Sequence, residues 1–498
     1  MHSTQILKKR IAIVGAGAAG LASLRVFLEE PASKQGHWEI IAFEARDDIG
    51  GIWLPDDLPN DPASTPQTPL YDVLVTNIPH PVMAYHDYPF PPSTPLCPHA
   101  SVVLKYLRSY ARTFGLEKHI SLSTRVQNVV WNCDTRKWDV TLRTSGGSPR
   151  SDSFDTVVVA NGHYHTPRYP DIPGLSEWAE CEGQDRGVSH AMWYRTHHPF
   201  AGKSVMVIGG GHSGMDIGVD IAVVAKRVLL AGARQGVQLP NIENRSRVKQ
   251  IQPDGVILFD DGSTAEGVDR IVLATGYLYN FPFLQNIQRT PLPSPYSPLP
   301  SQSTATPLYL ENSGIHVYPL MKHIFPLQRT FPPHALPFIG MATRIAPFPF
   351  FEDQAKAAAF LVAHPDALDV EHEKEVLRAR WERVKEQAGG DGNGLRLARL
   401  WHEFDMERDE QFEYRQGLVD FAGARGRGDV KEWEREFFKL GFIIRPEWRL
   451  LEREGRAEDI VRGVASGSEK TAEEQEREWI EAMRRVVGMA RERSGLSL

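Results

Sequence analysis

An α/β architecture built from two nested copies of one strand, turn, helix and strand unit, with extra helices at the C-terminal end, is predicted by three observations. Residues 11–44 run IAIV, GAGAAG, LASLRVFLEE and EIIAF. The order recurs from Ser204 as SVMVI, GGGHSG, MDIGVDIAVVA and RVLLA. Beyond EDQAKAAAFLVA the chain turns to charged segments with helical spacing. Continuously apolar strands of this kind are buried on both faces, as in parallel sheets covered by helices.

The first unit, Ile11 to Glu44, reads as βαβ because a glycine turn separates an apolar strand from an amphipathic helix. From Pro55 to Pro98 proline is dense, which fixes dihedrals and removes backbone donors, so an irregular and rather rigid loop region is expected. Ser101 to Phe114 has helical spacing. VQNVVWNCDTRKWDVTL, Val126 to Leu142, alternates about a polar DTRK turn and predicts an antiparallel hairpin, and FDTVVVANG predicts a buried strand ending in glycine. DRIVLATGY closes the second unit as VVVANG closes the first. Gln288 to Thr306, rich in Pro, Ser and Thr, predicts an extended surface loop. In Thr471 to Arg491, Thr471 and Glu474 form a capping box, and Trp479, Ile480, Met483 and Val487 share one face that turns toward a core or a partner.

The totals narrow the function classes. With 498 residues, 41% hydrophobic and 24% charged, the chain can hold more than one packed core. Its 63 acidic against 56 basic residues, net -7, offer no general attraction to nucleic acid or anionic lipid, so a small-molecule partner is expected. Cys97, Cys133 and Cys181 form neither a C-x-x-C pair nor a metal spacing, so no disulfide framework and no metal site is expected. MHSTQILKKR runs straight into a strand without a secretory signal pattern, and no run reaches the ~18 apolar residues of a membrane span. A soluble cytoplasmic protein is expected, with peripheral membrane attachment left open and homo-oligomerisation undetermined.

The glycine turns carry the chemistry. Gly15, Gly17 and Gly20, with Ala18 and Ala19 between them, stand where a Rossmann turn needs a tight bend, close approach of backbone to a pyrophosphate, and close packing of helix on strand. The helix N-terminus then aims free N–H donors at the diphosphate. Glu44, ending the second strand, can accept from both ribose hydroxyls and repels a 2'-phosphate, which favours FAD or NAD over NADP. The alternative is a glycine-rich turn without a ligand. The second turn, Gly209, Gly210, Gly211, His212, Ser213 and Gly214, repeats the phosphate logic, and after its following strand the chain offers Arg234 in place of an acid. A guanidinium there grips a 2'-phosphate and points to NADPH; the alternative is a solvated surface arginine. Two such turns imply one tightly held dinucleotide and one that comes and goes.

With these motifs, the chain resembles the flavin-containing monooxygenases from Ile11 to about Ala363. The matching phrases are FEARDDIGGIW (residues 43–53), VTNIP around Asn77, DYPFP from Asp87, GGGHSGMDIG from Gly209 and LATGY from Leu273. PLMKHIF and LPFIGM, between Tyr318 and Pro349, resemble soluble microbial members more than membrane-anchored ones. The resemblance implies an FAD domain in two parts, residues 1–168 and 269–365, with an NADPH domain at 169–268 inserted and a helical extension at 366–498. It further implies that Ile52 and Trp53 contact FAD, that Thr76 and Asn77 lie at the flavin, that Val126 offers backbone contact to its adenosine part, and that Thr275 and Gly276 join the cofactor-binding set.

Asn77 also has a physical rationale, since a neutral amide holds nicotinamide and an oxygenated flavin without moving a proton to or from either. The resemblance implies that NADPH reduces FAD, that dioxygen adds to the reduced flavin as a C4a-hydroperoxide shielded from water, and that a soft nucleophilic nitrogen or sulfur is oxygenated. One departure stands out: Gln184 and Arg186 occupy positions before His190 where the family fingerprint has an aromatic and a glycine. HAMWYR itself fits, and Tyr194 in place of Trp leans toward heteroatom oxygenation over Baeyer-Villiger oxidation of a ketone. His190 reads as structural. A disulfide reductase would share both glycine turns but needs a redox-active cysteine pair, which the sequence lacks. A catalytically silent FAD-binding scaffold stays open.

Overall fold

The computed structural model describes residues 8–59, 61, 64–180, 186–233, 239–285, 287–289, 309–389, 394–426 and 428–494. Arg234, Cys181, Gln184 and most of the Pro/Ser/Thr-rich stretch lie outside the described residues. The chain forms two compact units, one of residues 1–51, 76–162 and 279–498, the other of residues 52–75 and 163–278. Set beside the expected segments, residues 52–75 fold with the second unit, that unit's main stretch runs 163–278 against the expected 169–268, and the C-terminal helices group with the first unit.

In the first unit four parallel strands lie in the order Ile120–Ser121, Trp38–Phe43, Lys9–Val14 and Thr156–Val159. Ile11, Ala12 and Ile13 are fully buried, as their unbroken apolar run requires. The Ala18–Glu29 helix covers one face and packs against the Pro347–Ala363 helix. An antiparallel sheet of Thr124–Asn132, Lys137–Thr144 and Arg150–Phe154 adjoins it, with Asn132 opposite Lys137 across the expected polar turn. Its Trp138 is buried, and the indole N–H donates to the Ala335 carbonyl at 2.8 Å.

Two details differ from the sequence reading. Gln288 and Arg289, placed in the predicted extended loop, belong instead to a short strand, Ile287–Arg289, paired in parallel with Leu310–Asn312. The second phosphate-turn helix ends at Ile221, before the expected VVA, and leaves Val223 71% exposed.

Buried ion pairs explain why the C-terminal helices are not a separate module. Arg415, fully buried, bonds Asp353 of the Pro347–Ala363 helix and Glu434, each at 2.8 Å, while His86 meets the other Asp353 oxygen at 2.9 Å. The Ala472–Ser494 helix opens with the predicted capping box: the Thr471 amide donates to Glu474 at 2.8 Å, and the Glu474 amide donates to the Thr471 hydroxyl at 3.2 Å. Trp479, Met483 and Val487 are buried, whereas Ile480 is only half-buried. That apolar face is core packing.

The second unit holds five parallel strands in the order Ile242–Arg245, Arg227–Ala233, Ser204–Gly210, Arg270–Leu273 and Gly187–His190. It has its own antiparallel sheet of Val248–Ile251, Ile257–Phe259 and Thr264–Ala265. Both units thus repeat one plan of a parallel sheet, a glycine turn and an antiparallel meander.

Candidate active site

The first glycine turn is shaped by backbone crowding. Gly15 has φ +102°, and a Cβ there would meet the Ala160 carbonyl oxygen at 2.7 Å. A Cβ on Gly20 would come within 1.9 Å of the Gly15 carbonyl oxygen, so only glycine lets the helix sit so close on its strand. Gly17 faces Gly51 of the GGIW segment, whose Cα would be 3.2 Å from a Gly17 Cβ, and the Gly50 amide donates to Ala16 at 3.1 Å. The helix begins at Ala18 with no side-chain cap. Its first-turn amides, those of Ala18, Ala19 and Gly20 included, are therefore oriented to receive an anion.

Glu44 is buried, with one carboxylate oxygen accepting from the Ala16 amide at 2.8 Å and the other from the Arg46 amide at 2.9 Å. The residue expected to hold a ribose thus also pins the turn. Each oxygen keeps lone-pair capacity for a hydroxyl.

The second turn repeats this geometry with tighter contacts. Gly209 has φ +130° and would place a Cβ 2.2 Å from the Ala274 carbonyl oxygen, and a Cβ on Gly214 would fall 1.8 Å from the Gly209 oxygen. Gly211 differs: its φ is -80°, and a Cβ there would meet no described heavy atom within 4 Å. Among the described residues, neither backbone conformation nor packing requires glycine at this position. A ligand lying against the backbone would require it, so the open space here fits a pyrophosphate. His212 and Ser213 are exposed in the same uncapped first helical turn.

The remaining predicted residues fall in both units. Ile52 and Trp53 are half-buried in the short Gly51–Trp53 turn, with the Ile52 carbonyl accepting from the Thr68 hydroxyl at 2.5 Å. Val126 sits at a bulge in its strand. Thr275 donates to the Arg168 carbonyl at 2.5 Å, and the Gly276 carbonyl accepts from the Arg168 amide at 2.9 Å. His190 accepts from the Met192 amide at 3.1 Å through Nδ1, and its Nε2 lies 3.1 Å from the Gly276 oxygen. Burial pushes its pKa down to about 4, so it is neutral, with both ring nitrogens engaged in holding the loop. Arg186, at a departure from the fingerprint, lays its guanidinium 5.1 Å from the Trp178 ring centre.

Thr76 is buried, its amide donating to Pro98 at 3.0 Å and its hydroxyl to Ile78 at 2.9 Å. Asn77 is exposed, and its carboxamide makes no hydrogen bond among the described residues. Sequence reasoning missed Arg445, whose Nε donates to the Thr76 carbonyl at 3.1 Å across 369 positions of chain. No local pattern marks such a pair.

Among the described residues no helix is long and apolar enough to cross a membrane. A family model described as FMO-like, flavin-binding monooxygenase-like, matches residues 8–243 and 236–291. The flavin-containing monooxygenase FMO GS-OX-like 4 of Arabidopsis thaliana is 30% identical over 462 residues, 87% of this chain and 91% of its own. FMO GS-OX3 of the same plant is 34% identical over 381 residues, 72% of this chain and 74% of its own. The solved structure of S-allyl-L-cysteine S-oxygenase from Allium sativum is similar with a TM-score of 0.71 at 28% identity, covering 98% of each chain. Two glycine cradles of one design, together with these likenesses, identify the chain as a member of the flavin-binding monooxygenase family, an FAD-dependent oxidoreductase that uses NADPH.

Proposed function

We propose that this monooxygenase transfers one oxygen atom of O2 to a soft nucleophilic sulfur or nitrogen of a small molecule, the second atom leaving as water. FAD is held by Gly15, Gly17, Ala18, Ala19, Gly20 and Glu44, and NADPH by Gly209, Gly211, His212, Ser213 and Gly214. The near full-length likeness to an S-oxygenase carries this reading, since it extends through the C-terminal helices as well as both nucleotide units.

When bound, FAD reduced by NADPH supplies the dioxygen-activating chemistry. The uncapped helix N-termini hold the two pyrophosphates, and Glu44 accepts from ribose hydroxyls. Asn77 presents a neutral carboxamide that both donates and accepts, so it orients cofactor groups and holds water off without shifting a proton. A soft nucleophile supplies its own lone pair, so no side chain has to act as substrate base or nucleophile.

Incubation with NADPH and air in the presence of an alkyl aryl thioether or a cyclic ketone tests the reading. The expected product is the sulfoxide, formed in proportion to NADPH consumed, with the ketone recovered. A lactone without sulfoxide would overturn it in favour of Baeyer-Villiger chemistry. Absence of NADPH consumption in flavin-loaded protein would leave a scaffold in its place.

A further inference from the structure

Five contacts join the C-terminal region to the segment that carries Asn77, all within the first compact unit. The Gly441–Arg453 helix begins against it: a Cβ on Gly441 would lie 3.4 Å from Ile78 Cγ2 and 3.9 Å from the Asn77 backbone oxygen. One turn later on the same face, Arg445 reaches the Thr76 carbonyl. Trp479 stands edge-on to His80 with ring centres 4.4 Å apart. The Ser93 amide donates to Val464, and the Gly463 amide donates to the Ser93 hydroxyl, each at 3.1 Å.

The Arg445 contact falls at a specific place. The carbonyl oxygen of Thr76 shares a rigid peptide plane with the amide nitrogen and Cα of Asn77. Whatever fixes that oxygen fixes where the Asn77 nitrogen and Cα sit, and so the point from which its side chain starts. The Thr76 amide and hydroxyl bond Pro98 and Ile78, so neither of these bonds is made to the Thr76 carbonyl oxygen that Arg445 holds. Arg445 is 8% exposed, always charged, and carries a planar fork whose orientation is set by packing.

We propose that Arg445 is a positioning residue for the oxygenation site: through it the C-terminal extension holds the Thr76–Asn77 peptide plane and aims the Asn77 carboxamide. This rests on the role of Asn77 given above. It also assigns the C-terminal helices a part in coupling oxygen use to product formation.

The test uses flavin-loaded wild type, Arg445→Ala, Arg445→Lys and Asn77→Ala, with an alkyl aryl thioether as substrate. Three quantities are measured: flavin content, the ratio of peroxide released to sulfoxide formed, and amide hydrogen exchange across residues 76–80 without substrate or NADPH. Arg445→Ala should keep its flavin, raise the peroxide ratio about tenfold and speed exchange at residues 76–80, with Arg445→Lys recovering part of both. An unchanged ratio in Arg445→Ala, alongside a raised one in Asn77→Ala, would overturn the inference and leave the Asn77 reading standing. An unchanged ratio in Asn77→Ala would instead remove the Asn77 reading. If Arg445→Ala fails to fold, Arg445→Lys decides: lowered stability with wild-type coupling marks a purely structural contact and overturns the proposal.

Discussion

Gly20 lies so near the backbone of Gly15 that a methyl group on it would stand 1.9 Å from the Gly15 carbonyl oxygen, and Gly214 stands in the same relation to Gly209 at 1.8 Å. The obstacle in each case is backbone, which cannot swing aside. Gly20→Ala and Gly214→Ala should each cost at least about 1–3 kcal/mol of stability. Because the two cradles lie in different units, their effects should separate. Gly20→Ala should purify colourless, while Gly214→Ala should stay yellow and fail to respond to NADPH. Flavin absorbance per protein, read before and after NADPH, checks both.

Gly211 makes the opposite prediction. Its site is open and its backbone ordinary, so Gly211→Ala should change stability by no more than about 1 kcal/mol. If a pyrophosphate lies against it, the KM for NADPH should still rise about tenfold or more, since a methyl group pushes the ligand off its amide donors. A KM equal to wild type would remove the ligand explanation for this glycine.

Arg415 binds the C-terminal helices to the body of the first unit. Burial pushes the Asp353 carboxyl up, but His86 and Arg415 outweigh it and hold it below the usual carboxylate range. Arg415→Met leaves Asp353 and Glu434 buried without that cation and should cost about 3–5 kcal/mol, measured by urea unfolding.

Acid sensitivity should arise from buried neutral histidines. Burial pushes His80 and His316 down to about 3, and His190 and His334 to about 4. The unfolded chain takes up these protons near pH 6.5, whereas the folded protein refuses them. The stability is therefore fully present above about pH 6.5 and is lost as pH falls toward the folded values. At about pH 5 the loss from His80 alone is about 2 kcal/mol. His80→Phe, which keeps an aromatic ring against Trp479, should flatten the decline in stability between about pH 7 and about pH 5. An unaltered slope would assign the acid sensitivity to other groups.

Much of this architecture is local enough to read from residue order. Both glycine turns, the hairpin about DTRK and the Thr471–Glu474 cap depend on residues within a few positions of one another, where spacing fixes geometry. The grouping of residues 52–75 with the second unit has no such signature, because proline-rich chain packs wherever its few apolar side chains, such as Tyr71, find a core. The same holds for Arg415 with Asp353, and for Arg445 with Thr76. These are long-range pairs between ordinary charged or polar residues, and only the fold brings them together. Glu44 was legible as an acidic residue at the end of the second strand, but not as the acceptor that pins Ala16.

The most direct measurement is anaerobic addition of NADPH to the purified flavin-loaded protein, followed by air and a thioether. The predicted result is loss of the yellow colour, its return with oxygen, and sulfoxide equal to the NADPH consumed. Persistent colour with both NADPH and NADH would contradict the paired-cradle account, because the second nucleotide site would then deliver no electrons to the first.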